Sequence, residues 1–371
     1  MAILLALLVA GEIAYSLLSI VAARSYLAVR PSPLKRADPI SILKPLSGLD
    51  RDLELNLRSF FEQEYPEFEI LFAVREAHDP ALAVVEKLRA EFPRIPSRIL
   101  ITGEPPAANA KVFSLGRMLA EAKHELIVMS DSDVRVTPSM LRTIAAEFQD
   151  PGVGLATCPY RAVPGPSFWS ELEAAGMNTD FLGGILVVRM LEGMRFAIGP
   201  TIAARREALD AIGGFERLKD YLAEDFAMGK FAAEAGHRVI LSSYVIEHHI
   251  GEPELRRNAA HRLRWTRSTR RSRPLGYLGQ LFTMPLPLSI LLCIAAPSWW
   301  PTAVAAVAVR FTAARFISNR VLGLRLNWAI LPIEDLVAFG FWVAGFFGNT
   351  IVWRGRKYRV DAEGRIEPIA G

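Results

Sequence analysis

Four short stretches carry the side chains that could do chemistry, and none is built around a nucleophile. The apolar run LIVMS ends in Asp131, Ser132 and Asp133. Two carboxylates one residue apart at a strand end offer hard oxygen ligands, which Mg2+ and Mn2+ favour and usually share with substrate phosphates. A solvated turn capping the next helix would be spelled the same way. Glu224 and Asp225 interrupt the apolar stretch YLAEDFAMGKF. A carboxylate in apolar surroundings holds its proton more tightly, which suits a general base working near neutrality. Acidic residues also simply favour the first turn of a helix. Asp79, directly before Pro80, reads either as a helix N-cap or as an acceptor for a base or ribose at a strand end. The fourth stretch, HRLRW, brings His261, Arg264 and Trp265 together just before an apolar segment. A solvated basic face has no need of that tryptophan.

Other chemistries lack their signatures. His248 and His249 are adjacent, with no cysteine or further histidine at ligand spacing, so the pattern indicates no zinc site. No Walker or dinucleotide glycine loop and no Gly-x-Ser-x-Gly occurs. The two cysteines, Cys158 and Cys293, make no disulfide framework, which fits a catalytic region in a reducing compartment.

The acidic stretches need a scaffold, and the first half of the chain spells one. ISILKPL, FEILFAV, SRILIT and ELIVMSDSD read as strands. Between them an amphipathic helix starts near Leu49, DPALAVVEKLRAEFP opens a second helix and AKVFSLGRMLAEA forms a third. Strands alternating with helices predict βαβ units and a mostly parallel sheet, whose ligands bind at the carboxyl ends of the strands. Asp131 and Asp133 stand at one such end. The segment from residue 151 to 214 is less regular. Within it FLGGILVVRMLEGMRFAIGP carries Arg189, Glu192 and Arg195, and reads as a helix lying at a bilayer surface.

Both ends of the 371-residue chain are apolar. The first stretch carries Glu12, lacks a basic start and is followed by Arg24, Arg30, Lys35 and Arg36. It reads as an uncleaved anchor with its N-terminus outside and the next region cytoplasmic. RPSPLKRADP is a proline-rich basic linker. Beyond Arg273 come three apolar blocks, residues 277–297, 299–316 and 330–352. The first holds Pro285 and Pro287, the second Arg310 and Arg315. Three spans would leave the basic WRGRKYR outside, against the positive-inside rule, so one block is expected to be interfacial or re-entrant. The formal net charge is only +4, concentrated at 256–273 and 354–359. Membrane-end arginines explain it without nucleic acid. The expected division is an anchor at 1–24, a cytoplasmic catalytic domain at 38–273 and a membrane region at 277–353.

Taken in order, Asp79, Asp131-Ser-Asp133, Glu224-Asp225 and His261-Arg-Leu-Arg264-Trp265 resemble the D, D, D, (Q/R)xxRW series of family 2-type glycosyltransferases. LFAVREAHDPALAVVEKL, LIVMSDSDVRVTP, YLAEDFAMGK and LRWTR are most similar to glycosyltransferase family 21, the ceramide glucosyltransferase family, with hopanoid-biosynthesis glycosyltransferases as close relatives. The resemblance covers about Leu4 to Val360. The departure is His261, where the family often has Arg or Gln.

The resemblance implies an α/β GT-A fold with N- and C-terminal membrane helices, and an inverting transfer from a UDP-sugar to a lipid hydroxyl. It implies that Asp79 contacts the uracil or ribose, and that Asp131 and Asp133 serve the diphosphate and its Mg2+ or Mn2+. Asp225 would be the base, with Glu224 flanking it. Arg264 would neutralise the departing diphosphate, Trp265 would wall the sugar or acceptor, and His261 would contact phosphate or acceptor. Arg267, Arg270, Arg271 and Arg273 then read as positive-inside residues. The expected acceptor is ceramide and the expected donor UDP-glucose. A hopanoid alcohol taking N-acetylglucosamine is the nearest alternative; polysaccharide synthesis and a non-catalytic membrane-anchored binding protein follow. The alanine- and arginine-rich composition points to a bacterial source, hence the plasma membrane.

Overall fold

The computed structural model describes residues 1–30, 33–250, 254–353 and 356–369; Arg354 of the basic terminal run and Pro31 and Ser32 of the linker lie outside the described residues. The chain packs as two compact units. One comprises Arg30–Pro159 and Gly193–His249, the other Met1–Val29, Tyr160–Glu192 and Ile250–Gly371.

The strands, in chain order, are β1 (Ile40–Pro45), β2 (Phe68–Val74), β3 (Ser97–Ile101), β4 (Leu126–Ser130), β5 (Val134–Arg135), β6 (Val153–Thr157), β7 (Tyr160–Val163), β8 (Thr201–Arg205), β9 (Arg238–Leu241) and β10 (Ile246–His249). The first unit is built on a seven-stranded sheet in the order β3-β2-β1-β4-β8-β6-β9. Its pairs are parallel except those made by β8, which runs antiparallel to both β4 and β6. Every residue of β2 is buried, as a strand covered on both faces requires. The buried charge on β2 is satisfied: Glu69 accepts from Ser41 Oγ at 2.8 Å and from Lys123 N at 2.7 Å, and pairs with Arg98 at 3.2 Å.

The chain leaves β1 toward β2 on one side and returns to β4 on the other. The sheet order therefore reverses between β1 and β4, and a crevice opens at their carboxyl ends. Asp131 follows β4 at that point. A short antiparallel pair, β5 with β10, sets Val134 opposite His248 and Arg135 opposite Glu247.

The second unit is helical, with a small antiparallel sheet of β11 (Thr350–Trp353), β12 (Arg356–Val360) and β13 (Ile366–Pro368). Its first helix, Ala2–Leu27, has 26 residues, about 39 Å at 1.5 Å each. One face carries exposed Leu4, Leu7, Leu17 and Val21, while Ala6 and Val9 pack with Leu288, Leu292 and Ala306. Among the described residues this is the one helix long and apolar enough to cross a membrane, or one of two if a bent pair counts as a span. That pair is the first C-terminal apolar block: Pro274–Thr283 and Pro285–Ala295 meet at 63°. Pro285 explains the break, because it has no N–H to continue a helix and fits only a first turn. The second block forms the helix Trp300–Phe316, and the third the helix Leu331–Gly345. The stretch expected at a bilayer surface, which begins at Phe181, forms the helix Leu182–Leu191; that helix continues the helix Phe168–Gly176 and the π-helical turn Met177–Phe181.

Candidate functional site

The helix Ala110–Glu121 starts at Asn109, whose side chain accepts from Val112 N at 3.2 Å. This cap points the first turn at the end of β4. Lys111 Nζ lies 2.8 Å from Asp131 Oδ1 and 3.0 Å from Glu224 Oε1. Asn109 Nδ2 also donates to Glu224 Oε2 at 3.2 Å and to the carbonyl of Tyr221 at 3.0 Å. Glu224 is thus held by two side chains at the start of the helix Glu224–Glu234. Asp225 follows it. Its Oδ2 accepts from the Gly199 amide and its Oδ1 from the Phe226 amide at 2.8 Å. Asp131, Glu224, Asp225 and Lys111 line one cleft, together with Met129 and Pro200.

Electrostatics distinguishes these acids. Burial pushes the Asp225 carboxyl up, and neighbouring Glu224 adds to it, against the two amides and the charge of Lys111; the result is about 6. Burial also raises Asp131, with Lys111 opposing and Asp133 adding. Burial would lower Lys111, but Asp131 and Glu224 outweigh it and hold the ammonium charged.

Asp133 is bound from the other side. His248 Nε2 lies 3.1 Å from its Oδ2, and the His249 amide donates to its carbonyl at 2.8 Å. Burial alone would raise Asp133; His248, Lys44 and Lys111 overcome that and leave it below the usual range. Its Oδ1 is buried without a hydrogen-bond partner. An acceptor oxygen left open beside an imidazole is the donor set that Mg2+ or Mn2+ can use. Among the described residues no three His, Cys, Asp or Glu side chains gather at metal-holding spacing, so a cation here needs substrate oxygens to complete its shell.

Three participants escaped the sequence reading: Lys111, Lys44 and His248. Lys44, on β1, has no exposed surface. It donates to the Asp131 carbonyl and sits 3.8 Å from the centre of the Phe60 ring. Burial drops its pKa to about 7 against the pull of Asp131, Asp133 and Asp50. A lone lysine inside ISILKPL was a visible signal, since an uncompensated charge has no place in a covered strand.

Asp79 stands in the loop after β2. Its two oxygens accept from Gly48 N at 3.1 Å each, and Oδ1 also takes Ala81 N at 2.9 Å. It therefore ties the loop after β1 to the start of the helix Ala81–Glu91.

The HRLRW stretch lies in the helical unit, on the helix Leu255–Ser272. His261 Nδ1 is 2.8 Å from Glu173 Oε1, and Asn258 donates to Oε2 of the same carboxylate. One turn on, the Trp265 ring packs 4.8 Å from His261 and 6.5 Å from Phe181. Arg264 shares this helix. The flanking arginines have specific partners that a positive-inside reading does not supply. Arg267 donates to the carbonyls of Phe347 and Thr350, Arg270 to those of Phe346 and Gly348, and Arg273 pairs with Glu192 at 2.7 Å. The first two satisfy carbonyls just past a helix C-terminus, where cations are favoured.

A sequence profile described as Glycosyl transferase family 21 matches residues 3–366. The chain belongs to glycosyltransferase family 21. Over 207 residues it is 30% identical to ceramide glucosyltransferase 1 of Caenorhabditis elegans, a match covering 55% of this chain and 44% of that protein. It is 34% identical over 110 residues to the ceramide glucosyltransferase of Komagataella phaffii, covering 29% of this chain and 22% of that one. The family 21 chain thus spans less than half the length of these curated relatives. A mannosyltransferase from Pyrobaculum calidifontis, solved in complex with GDP-Man and Mn2+, superposes with a TM-score of 0.56 at 20% identity. It covers 94% of this chain and 99% of that one, and the two share the GT-A fold.

Proposed function

We propose that this family 21 protein is a membrane-bound inverting hexosyltransferase that moves glucose from UDP-glucose to the primary hydroxyl of ceramide. The observation that carries the proposal is the cavity at the end of β4, where Asp131, Glu224 and Asp225 converge and Asp225 is pushed up to about 6. The likeness to ceramide glucosyltransferases supports the choice of acceptor.

In this reading residues 38–273 are the catalytic region, on the cytoplasmic side, and the apolar N-terminal helix is an anchor. Asp225 accepts the proton of the acceptor hydroxyl as that oxygen bonds to the anomeric carbon. The sugar–phosphate bond breaks on the opposite face, UDP leaves with its electron pair and the configuration inverts. Lys111 pairs with both Asp131 and Glu224 and holds them in place beside Asp225. Glu224 in turn raises the proton affinity of Asp225. Asp79 shapes the loops that would receive the uridine, and Arg264 offers a guanidinium to the diphosphate. His261 would contact phosphate or acceptor, and Trp265 would wall the sugar or acceptor. Asp133 and His248, with Asp131 beside them, would hold Mg2+ or Mn2+, which when bound supplies Lewis-acid support to the leaving diphosphate.

The test is product identity. Protein in mixed micelles with Mn2+ receives UDP-glucose and UDP-N-acetylglucosamine in equal amounts, with ceramide and a hopanoid polyol together. Hexosylceramide from wild type and none from Asp225→Asn is expected. N-acetylhexosaminyl hopanoid would replace the substrates, and equal product from Asp225→Asn would remove the base.

A further inference from the structure

The third apolar block of the sequence folds as the helix Leu331–Gly345, and its two faces have opposite surroundings. Ile333, Leu336, Gly340, Val343 and, just past the helix, Phe347 are all exposed. Their spacing of three and four residues puts them in one stripe, and no side chain in it carries a polar atom. The opposite face is fastened along its length to the helix Leu255–Ser272 and the turn after it. At its start Arg262 grips both oxygens of Glu334, one at 2.9 Å, and stands 4.9 Å from the centre of the Phe341 ring. Further on, Trp342 Nε1 donates to the Tyr277 carbonyl at 2.8 Å, and the Tyr277 hydroxyl donates to the Trp342 carbonyl. Gly345 allows the close approach, since a Cβ there would overlap the Thr266 methyl group. Arg267 and Arg270 take the carbonyls of Phe346, Phe347, Gly348 and Thr350.

That partner decides whether the block crosses a bilayer. Leu255–Ser272 carries seven arginines in 18 residues. Arginine in hydrocarbon is costly, so this helix stays at the aqueous interface, and a helix tied to it at both ends stays there too. With 15 residues, the tied helix also reaches only about 22 Å, short of a hydrocarbon core of about 30 Å. Contacts within the same unit fix the level. Arg24 lies over the Phe316 ring at 5.6 Å, Arg189 over the Tyr26 ring at 5.6 Å, and Arg273 pairs with Glu192 at 2.7 Å. The helices Trp300–Phe316, Leu182–Leu191 and Leu255–Ser272 thus all end near the level at which the first helix ends at Leu27. From there the first turn of Leu331–Gly345 dips inward: Asp335 pairs at 3.3 Å with Arg310, six residues and so about 9 Å before Phe316. A helix lying in the membrane plane sinks its apolar face by about that depth.

We propose that Leu331–Gly345 does not cross the membrane but lies in its plane, with the stripe from Ile333 to Phe347 seated among the acyl chains of one leaflet, at the face where the Leu27 end of the first helix emerges. The inference rests on the membrane-bound reading given above. Three observations make lipid the occupant. The stripe offers a protein partner no polar atom. It is continuous with the bent apolar pair, because the helix packs on Pro285–Ala295 and Asp335 accepts from the Leu286 amide. The arginines along its edge suit anionic lipid heads. Both flanks of the helix, residues 322–330 and the strand β12 with Lys357 and Arg359, then lie on one side of the bilayer, as the positive-inside rule asks of the basic terminal run.

Spin labels on the full chain test this, in sealed vesicles of phosphatidylcholine and phosphatidylglycerol, with Cys293→Ser as background and Cys158 buried out of reach. Labels go singly on Leu336→Cys, Val343→Cys and Phe347→Cys, and on Ala14→Cys as a reference at the bilayer centre, because exposed Ala14 stands ten residues, or about 15 Å, before Arg24. Depth is read from collisions with oxygen and with a water-soluble nickel chelate. The labels at 336 and 347 should lie within about 8 Å of each other in depth, and all three should be shallower than the reference. A crossing helix would separate those two by about 16 Å, eleven residues at about 1.5 Å each, and that result overturns the proposal. So does a stripe label as deep as Ala14→Cys. Should Leu336→Cys fail to fold, Ile333→Cys takes its place. In the same vesicles an impermeant maleimide should reach Arg325→Cys and Lys357→Cys, one on each flank, from the same side; labelling from opposite sides overturns the in-plane helix. Stripe labels shielded from both quenchers mean that a second copy covers the stripe, which overturns lipid as its occupant. Stripe labels in water with Ala14→Cys in lipid sink the inference and leave the membrane-bound reading standing; Ala14→Cys in water removes both.

Discussion

Replacing Asp225 by asparagine should abolish sugar transfer and, at the same time, change how stability depends on pH. In the native chain this carboxyl titrates near 6, against 3.8 as the ordinary value. Between those values the folded protein keeps a proton that the unfolded chain releases. Stability therefore falls as pH rises through that window, and the loss is complete above about 6. Integrated from pH 4.5 to 8, the Asp225 contribution is about 2 kcal/mol. Asparagine never ionises, so the variant lacks this slope. It carries a cost of its own: both carboxylate oxygens accept backbone amides, from Gly199 and Phe226, and asparagine offers one oxygen and one competing donor. That cost is about 1–3 kcal/mol and the same at every pH. The quantity to measure is thus the change in the variant's offset. Relative to wild type, Asp225→Asn should be about 2 kcal/mol better placed at pH 8 than at pH 4.5, in thermal or urea unfolding in detergent. The wild-type transfer rate should climb about tenfold per pH unit below 6 and level off above it. A stability offset that stays constant between the two pH values, or a rate already level at pH 5, would refute the assignment of Asp225 as a buried base.

Three further outcomes follow from the same geometry. Lys111→Met leaves Asp131 and Glu224 without their shared cation and should cost about 3–5 kcal/mol in unfolding measurements, with transfer lost. His248→Ala and Asp133→Asn should each raise the Mn2+ concentration needed for UDP binding by at least about tenfold, read by calorimetry, while thermal stability changes little. Gly229→Ala should destabilise by about 1–3 kcal/mol and slow transfer together, because a Cβ there would stand 2.0 Å from the Ala197 nitrogen and push aside the helix that carries Asp225.

The scaffold was legible where the physics is local. Continuous apolar runs marked β1, β2 and β4, the Asp79-Pro80 signal stood within two residues of a real helix start, and AKVFSLGRMLAEA begins where the helix Ala110–Glu121 begins. The irregular stretch from 151 onward concealed β6, β7 and β8. Short strands such as TIAAR have no periodicity to read, and the antiparallel insertion of β8 between β4 and β6 is a tertiary choice. The site was legible in its acids and hidden in its partners. Lys111 looks like any surface lysine on an amphipathic helix, and what makes it central lies 20 and 113 positions away, at Asp131 and Glu224. His248 was set aside for lack of neighbours at ligand spacing; its neighbour Asp133 is 115 residues distant and reaches it through the β5–β10 pair. Pro285 and Pro287 were visible in the first C-terminal block, and Pro285 stands where that block bends; which block departs from a straight span is a matter of packing that hydropathy does not register.

The pairing pattern also decides which of four carboxylates can serve as base in the proposed reaction. A base must take up a proton during the reaction and must not be fixed in its ionised form beforehand. Asp131 and Glu224 share the ammonium of Lys111, and Glu224 is further held by Asn109, so protonating either would break an ion pair in a buried place. Asp133 lies below the usual carboxylate range beside His248 and is a poor proton acceptor. Asp225 differs in kind. Among the described residues its hydrogen bonds come from two backbone amides, which fix its direction without balancing its charge, and its neighbour Glu224 works against ionisation. Burial, with the charge of Glu224 added, is thus what makes Asp225 basic. Neutralising Glu224 alone should lower the proton affinity of Asp225 and carry the rate plateau to lower pH, even though Glu224 accepts no proton itself.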